Sequence, residues 1–85
     1  MLERDLSIIH PQGLNAQASA KLVQALAPFN CQAFLHAKGR EVNAKSIMGV
    51  MLLAAGPGTS IKVRVEGEDE AAALDALVAL FEKGF

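Results

Sequence analysis

The sequence predicts an α+β fold in which a four-stranded antiparallel sheet is covered on one face by three helices. Segments with the pattern of strands and helices follow one another in the order β-α-β-β-α-β-α. The strand segments alternate apolar and polar residues, so each strand needs cover on one face only. Three helices on the same side of the sheet supply that cover. We expect one domain over residues 1–85, because a chain of this length has room for a single core.

The first two elements are a strand and a helix separated by a loop. Apolar and polar residues alternate over residues 2–9, which predicts a half-buried strand. The proline and glycine of segment 10–13 interrupt this pattern and predict a loop. A helix is predicted over residues 16–27 from small and apolar residues at helical spacing, namely Ala16, Ala20, Val23 and Ala27, with Leu22 and Leu26 beside them. Asn15 is a suitable N-cap, and Pro28 ends the helix.

The rest of the chain supplies three strands and two helices. Alternation over residues 31–36 and a following Lys-Gly turn predict two paired strands, the second over residues 40–43. A short helix is predicted over residues 46–53, and the clearest strand of the chain over residues 61–66. The last helix follows Asp69, which could cap it, and carries an amphipathic stripe of Leu74, Leu77, Val78 and Phe81.

Composition argues against several classes of protein. The formal net charge is −1 and there is no basic run, so we expect no nucleic-acid partner. The longest apolar run, residues 50–55, is far too short to span a membrane, and the charged first residues are unlike a signal peptide. Cys31 is the only cysteine and has no companions at metal-ligand spacing. We therefore expect a cytoplasmic protein without a metal or a cofactor.

Three stretches resemble HPr, the small phosphocarrier of the bacterial sugar phosphotransferase system. They are Gly13–Leu22, Asn43–Met51 and Gly67–Glu70, and the middle stretch, Asn-Ala-Lys-Ser-Ile-Met-Gly-Val-Met, is highly specific. The resemblance runs from end to end of the chain. It implies the open-faced β-sandwich of that family, which agrees with the element order read from the residues.

The first stretch departs from the family at the two positions on which phosphoryl transfer depends. A working HPr has the phosphoacceptor histidine at the place of Asn15 and an arginine at the place of Gln17. The amide nitrogen of asparagine has its lone pair delocalised and is a poor nucleophile, unlike a neutral imidazole. We expect a disabled phosphoacceptor site, in which the backbone N–H groups of Ala16, Gln17 and Ala18 still point to the place of the phosphate.

The middle stretch offers a second site. In relatives with a similar stretch, the serine at the place of Ser46 is phosphorylated by HPr kinase/phosphorylase. The alternative is a purely structural role, in which Ser46 only caps a helix. The family docks enzyme I, EIIA domains and the kinase through this region, so Ile47 and Met48 are candidate docking residues. Met51 is expected to be buried.

Three functions fit these residues. The first is a regulatory or docking HPr-like protein, acted on by kinases and not itself an enzyme, that cannot carry phosphate at position 15 and is controlled through Ser46. The second is a phosphocarrier that still acts in the relay between enzyme I and EIIA through another residue, for which His10 is a candidate. The third is an engineered or decayed inactive copy. A monomer is expected, although Phe34 on the outer face of the sheet could favour self-association.

Overall fold

A computed structural model describes all 85 residues, Met1–Phe85. It contains the four strands and three helices in the predicted order, which confirms the fold class. The elements are β1 (Leu2–Ser7), α1 (Ala16–Leu26), β2 (Cys31–Ala37), β3 (Arg40–Asn43), α2 (Ile47–Leu52), β4 (Ser60–Gly67) and α3 (Glu70–Lys83).

The four strands form one antiparallel sheet with the order β1-β4-β2-β3. β4 lies inside the sheet and pairs with β1 on one side, from Leu2 opposite Val65 to Ser7 opposite Ser60. On its other side β4 pairs with β2, whose second neighbour is the short edge strand β3. The two central strands are thus β4 and β2, in which buried apolar residues alternate with more exposed ones.

A single core fills the space between the inner face of the sheet and the three helices. The residues of the central strands that face it are fully buried: Ala33, Leu35, Ile61, Val63 and Val65. The helices contribute Leu22 and Leu26 from α1, Val50 from α2, and Leu77 and Phe81 from α3. On the outer face, the guanidinium carbon of Arg64 lies 4.8 Å from the centroid of the Phe34 ring. Arg64 Nη2 also lies 3.1 Å from Glu41 Oε1, so this face is partly covered by its own side chains.

The structure differs from the sequence prediction in how α1 is turned. Its buried residues are Ala18, Ser19, Leu22 and Leu26, so Leu22 and Leu26 face the core as predicted, whereas Ala16, Ala20, Val23 and Ala27 are not fully buried. Alanines lie on both sides of this segment, so their spacing alone does not select the core side. The difference matters because the rotation of α1 decides which backbone and side-chain groups its first turn presents to solvent.

Smaller differences concern the ends of elements. β1 ends at Ser7, two residues earlier than predicted, although Ile8 N still donates to Thr59 O at 3.0 Å. Cys31 begins β2 at the end of the sheet and is half-buried. Asp69 makes no capping hydrogen bond to α3, because its carboxylate accepts one from Asn30 N at 2.7 Å.

Candidate functional site

The loop before α1 is a tight turn held against the segment that follows α2. Gly13 N donates to His10 O at 3.0 Å, and Leu14 N donates to Ala55 O at 2.9 Å. Gly13 has φ +68°, and a Cβ at this position would lie 2.4 Å from Ala55 O. Only glycine therefore fits here, and the close approach fixes the loop relative to α2.

Asn15 is the N-cap of α1, as the sequence predicted. Its backbone is extended, and its Oδ1 accepts a hydrogen bond from Ala18 N at 2.9 Å. Its Nδ2 donates to Oε1 of Gln12 at 2.7 Å. Each end of the amide thus makes one hydrogen bond within the chain, and Nδ2 is a poor nucleophile because its lone pair is delocalised into the carbonyl.

The first turn of α1 does not present all three predicted N–H groups. The N–H of Ala18 is occupied by Asn15, which corrects the expectation that it points to a free phosphate position. The N–H groups of Ala16 and Gln17 have no acceptor in the chain. The Gln17 side chain is exposed and makes no hydrogen bond, so it supplies no charge and no fixed contact at this place.

His10 lies at the start of the same loop. Its Nδ1 accepts a hydrogen bond from Gln12 N at 3.2 Å, so in the neutral ring the proton is assigned to Nε2. The ring stands edge-on to Phe85, with the centroids 6.1 Å apart. The nitrogen that carries the free lone pair is therefore directed at a backbone N–H and not at solvent.

Ser46 is the N-cap of α2. Its Oγ accepts a hydrogen bond from Gly49 N at 3.2 Å, and its side chain is half-buried. The ammonium group of the preceding Lys45 is directed elsewhere, to Phe29 O at 2.6 Å. Unmodified Ser46 therefore has the local role of a cap.

The exposed side of α2 is apolar. Ile47 and Met48, the two predicted docking residues, are 42% and 75% exposed. Met51, expected to be buried, is 43% exposed, and Leu52 is 65% exposed. We call these four residues the α2 patch. Leu52 was missed and Met51 was wrong because residues 50–55 are all apolar, although the spacing of Met48, Met51 and Leu52 follows one side of a helix.

Basic side chains border the α2 patch. Arg40 Nη1 donates to Leu52 O at 3.1 Å, and Lys38 Nζ donates to Ala54 O at 3.3 Å, both at the end of α2. Segments 6–40 and 42–65 contain no Asp or Glu at all. The patch thus has an apolar centre and basic groups at the end of α2, which suits a partner with an acidic border.

No three His, Cys, Asp or Glu side chains are grouped so that they could hold a metal ion. None of the helices has the length and apolar character needed to cross a membrane.

Comparisons with known proteins identify the family. The family model PTS-HPr, described as the PTS HPr component phosphorylation site, matches residues 2–83. The chain belongs to the PTS-HPr family. It is 58% identical to the phosphocarrier protein HPr of Xylella fastidiosa over 85 residues, which cover 100% of this chain and 96% of that protein. It is 42% identical to the HPr-like protein Crh of Halalkalibacterium halodurans over 83 residues, 98% of this chain and 99% of that protein.

Solved structures of HPr proteins share the fold. A crystal structure of HPr from Thermoanaerobacter tengcongensis is similar with a TM-score of 0.96 and 40% identity, covering 100% of this chain and 96% of that one. A crystal structure of Crh, the catabolite repression protein of Bacillus subtilis, has a TM-score of 0.79 and 38% identity over 99% of this chain and 97% of that one, and is described as a domain-swapped dimer. The protein is thus an HPr- or Crh-like member of the phosphotransferase system. Proteins of the HPr family are phosphocarriers and not catalysts.

Proposed function

We propose that this HPr-like domain is a regulatory or docking protein of the phosphotransferase system that does not carry phosphate at position 15. The observation that carries the proposal is the arrangement of Asn15, whose amide is fully engaged as a helix cap and offers no nucleophile. The α2 patch, by contrast, is exposed and bordered by basic groups. The chain has thus lost the chemistry of the relay and kept a surface suited to binding.

The proposed partners are enzyme I, EIIA domains and HPr kinase/phosphorylase. Charge supports this choice, because a surface without acidic groups selects partners that present acidic ones around an apolar contact. Met48 and Met51 suit recognition of several different partners, since a methionine side chain is flexible and polarizable. We further propose that the protein acts in the cytoplasm as a monomer. We also propose that it is a single domain, since one hydrophobic core lies between the sheet and the three helices.

Phosphorylation of Ser46 is the proposed control. A phosphate on Ser46 adds about −1.5 to −2 charges at neutral pH beside Ile47, within a segment, residues 42–65, that contains no Asp or Glu. Such a change weakens contact with a partner that has an acidic border and favours one with a basic border. The modification therefore selects between partners without altering the fold.

The first experiment is intact-mass analysis after incubation with HPr kinase/phosphorylase and ATP. We expect one added phosphate, mapped to Ser46, and none on the Ser46→Ala variant. Because Ser46 caps α2, the variant is first checked for native folding by circular dichroism. An unmodified wild-type protein under conditions that modify a control HPr would contradict control through Ser46.

The second experiment tests the relay directly with enzyme I and phosphoenolpyruvate. The wild type is expected to take up no acid-labile phosphate, whereas the double variant Asn15→His with Gln17→Arg is expected to take it up. Failure of the double variant would show that docking to enzyme I has been lost as well.

A second candidate function is a phosphocarrier that uses another residue. The similarity to proteins named phosphocarrier favours it, but His10 directs its lone pair at Gln12 N. An acid-labile, base-stable phosphate on the wild type, absent from a His10→Gln variant, would establish this candidate. An engineered or decayed copy is the third reading, and it predicts neither modification nor binding.

A further inference from the structure

The loop before α1 contains a continuous series of hydrogen bonds that ends at the first turn of the helix. Gln12 N donates to His10 Nδ1 at 3.2 Å, Asn15 Nδ2 donates to Gln12 Oε1 at 2.7 Å, and Ala18 N donates to Asn15 Oδ1 at 2.9 Å. Every member of the series thus has a defined direction of donation. The shortest contact, between two side-chain amides, lies in the middle.

The backbone of Gln12 is held in place independently of its contact with Asn15. Its backbone belongs to the turn closed by Gly13 N and His10 O at 3.0 Å. This turn also packs directly against Ala55, since there is no room for a Cβ on Gly13. With the backbone of Gln12 fixed, only its side-chain rotamers have to be ordered for the contact with Asn15.

We infer that Gln12 is a positioning residue that holds the Asn15 amide in its capping orientation and so closes the former phosphoacceptor position. An asparagine N-cap alone can exchange its side chain between rotamers, because only Oδ1 is bound. The bond from Nδ2 to Gln12 fixes the other end of the amide and orients it. The Ala18 N–H is then held by Asn15, and only the N–H groups of Ala16 and Gln17 remain without an acceptor at the helix start.

This inference concerns the site whose loss of phosphoryl transfer is proposed above, but it does not depend on enzyme I, EIIA or the kinase. It would stand if the regulatory function failed, and it can fail while that function stands. The test therefore uses the protein alone.

The experiment is amide hydrogen exchange of Ala18, measured by NMR on the full chain, in three variants. Gln12→Ala removes the acceptor for Asn15 Nδ2, while Gln12→Glu keeps an acceptor oxygen at the same reach. Gln17→Ala is the matched control, because Gln17 is exposed on the same first turn and makes no hydrogen bond. The coupling constants of the Asn15 side chain report its rotamer in each variant.

We expect Gln12→Ala to accelerate exchange at Ala18 about two- to tenfold, the change that loss of one ordinary hydrogen bond produces. The Asn15 couplings should then average between rotamers. Gln12→Glu and Gln17→Ala should both retain the wild-type rate and couplings. The buried Leu22 further along α1 should be unaffected in every variant.

Two results would overturn the inference. One is an Ala18 rate and an Asn15 rotamer in Gln12→Ala that equal those of Gln17→Ala. The other is equal acceleration at Ala18 and Leu22, which would mean that Gln12 contributes to global stability and not to the orientation of Asn15.

Discussion

At the scale of single residues, the amide of Asn15, which we propose does not accept phosphate, stabilises the helix. Oδ1 of Asn15 satisfies the N–H of Ala18, one of the groups that a helix start leaves without a backbone partner. Such a cap contributes about 1 kcal/mol. A residue can therefore be well suited to this position in the fold although it lacks the chemistry that the family performs there.

Gly13 is the residue at which the loop tolerates least change. In Gly13→Ala, the left-handed φ of +68° and the approach of 2.4 Å to Ala55 O would both act. Gly58→Ala is the control, because φ is +81° there but no atom lies within 4 Å of the added Cβ. We expect Gly58→Ala to lose about 1 kcal/mol of unfolding free energy and Gly13→Ala about 2 kcal/mol more. Urea unfolding measures both, and equal losses would show that the loop moves away from Ala55.

The residues of the candidate site differ in how far the sequence could predict them. Asn15 and Ser46 were predicted as caps, because a cap depends on a residue type directly before a helical pattern. Gln12 could not be predicted, since its contact with Asn15 depends on the backbone of the turn between them. Nor could the occupied N–H of Ala18 be distinguished from a free one before the Asn15 rotamer was known.

At the scale of elements, α2 has two sides with different roles. Val50 is fully buried, whereas Met48 on the other side is 75% exposed. We expect Val50→Ala to cost about 2 kcal/mol of stability, because it leaves a cavity in the core. Met48→Ala should change stability by less than about 0.5 kcal/mol but weaken binding to enzyme I. Urea unfolding together with calorimetric titration separates the two effects. Loss of stability in Met48→Ala would contradict this division.

The start of α3 gives the fold a dependence on pH. The hydrogen bond from Gly67 N to Glu70 Oε1, and then the contact of the Met1 ammonium, lower the pKa of the Glu70 carboxyl below 4.5. Because the pKa is lower in the folded state, the ionised carboxylate stabilises the fold above pH 4.5. That contribution is lost as the pH falls through the folded pKa.

Glu70→Gln tests this dependence. The variant should be less stable than the wild type at pH 7, and the difference should shrink steadily below pH 4.5. Thermal unfolding at a series of pH values measures it. A difference between the two proteins that does not change with pH would show that the contacts of Glu70 do not depend on its charge.

The elements themselves were largely predictable, and the reasons are visible in particular segments. β4 alternates strictly between buried Ile61, Val63 and Val65 and polar neighbours, so its faces are set by the sequence. In α1 and α2, apolar residues occur on more than one side of the helix, and packing against the sheet selects the buried side. The rotation of α1 and α2 about their axes determines which of their residues are exposed at the candidate site. This rotation is set by tertiary packing and is therefore not visible in the sequence pattern.

At the scale of the whole molecule, charge is distributed unevenly. The acidic residues lie in β1, at Glu41, and from Glu66 onward, while the loop before α1, α1 itself and α2 have none. The outer face of the sheet carries both acidic and basic side chains, as in the contact of Arg64 with Glu41 at 3.1 Å. The helical end that carries the α2 patch is positive, and its attraction to an acidic partner is weakened by salt.

The last prediction concerns the oligomeric state, for which the domain-swapped Crh dimer is the natural contrast. β1 pairs with β4 along its whole length, the loop after it is fixed at Gly13 against Ala55, and Arg64 covers Phe34 on the outer face. Strand exchange would keep the β1–β4 pairing but would have to open the loop held at Ala55, and the covered Phe34 disfavours association through the sheet. We expect light scattering to give a mass of 9.0 kDa over a wide range of protein concentration. Twice that mass would contradict the prediction, and Met48→Lys would then separate the causes. A dimer formed through the α2 patch should dissociate in that variant, whereas a strand-swapped dimer should persist.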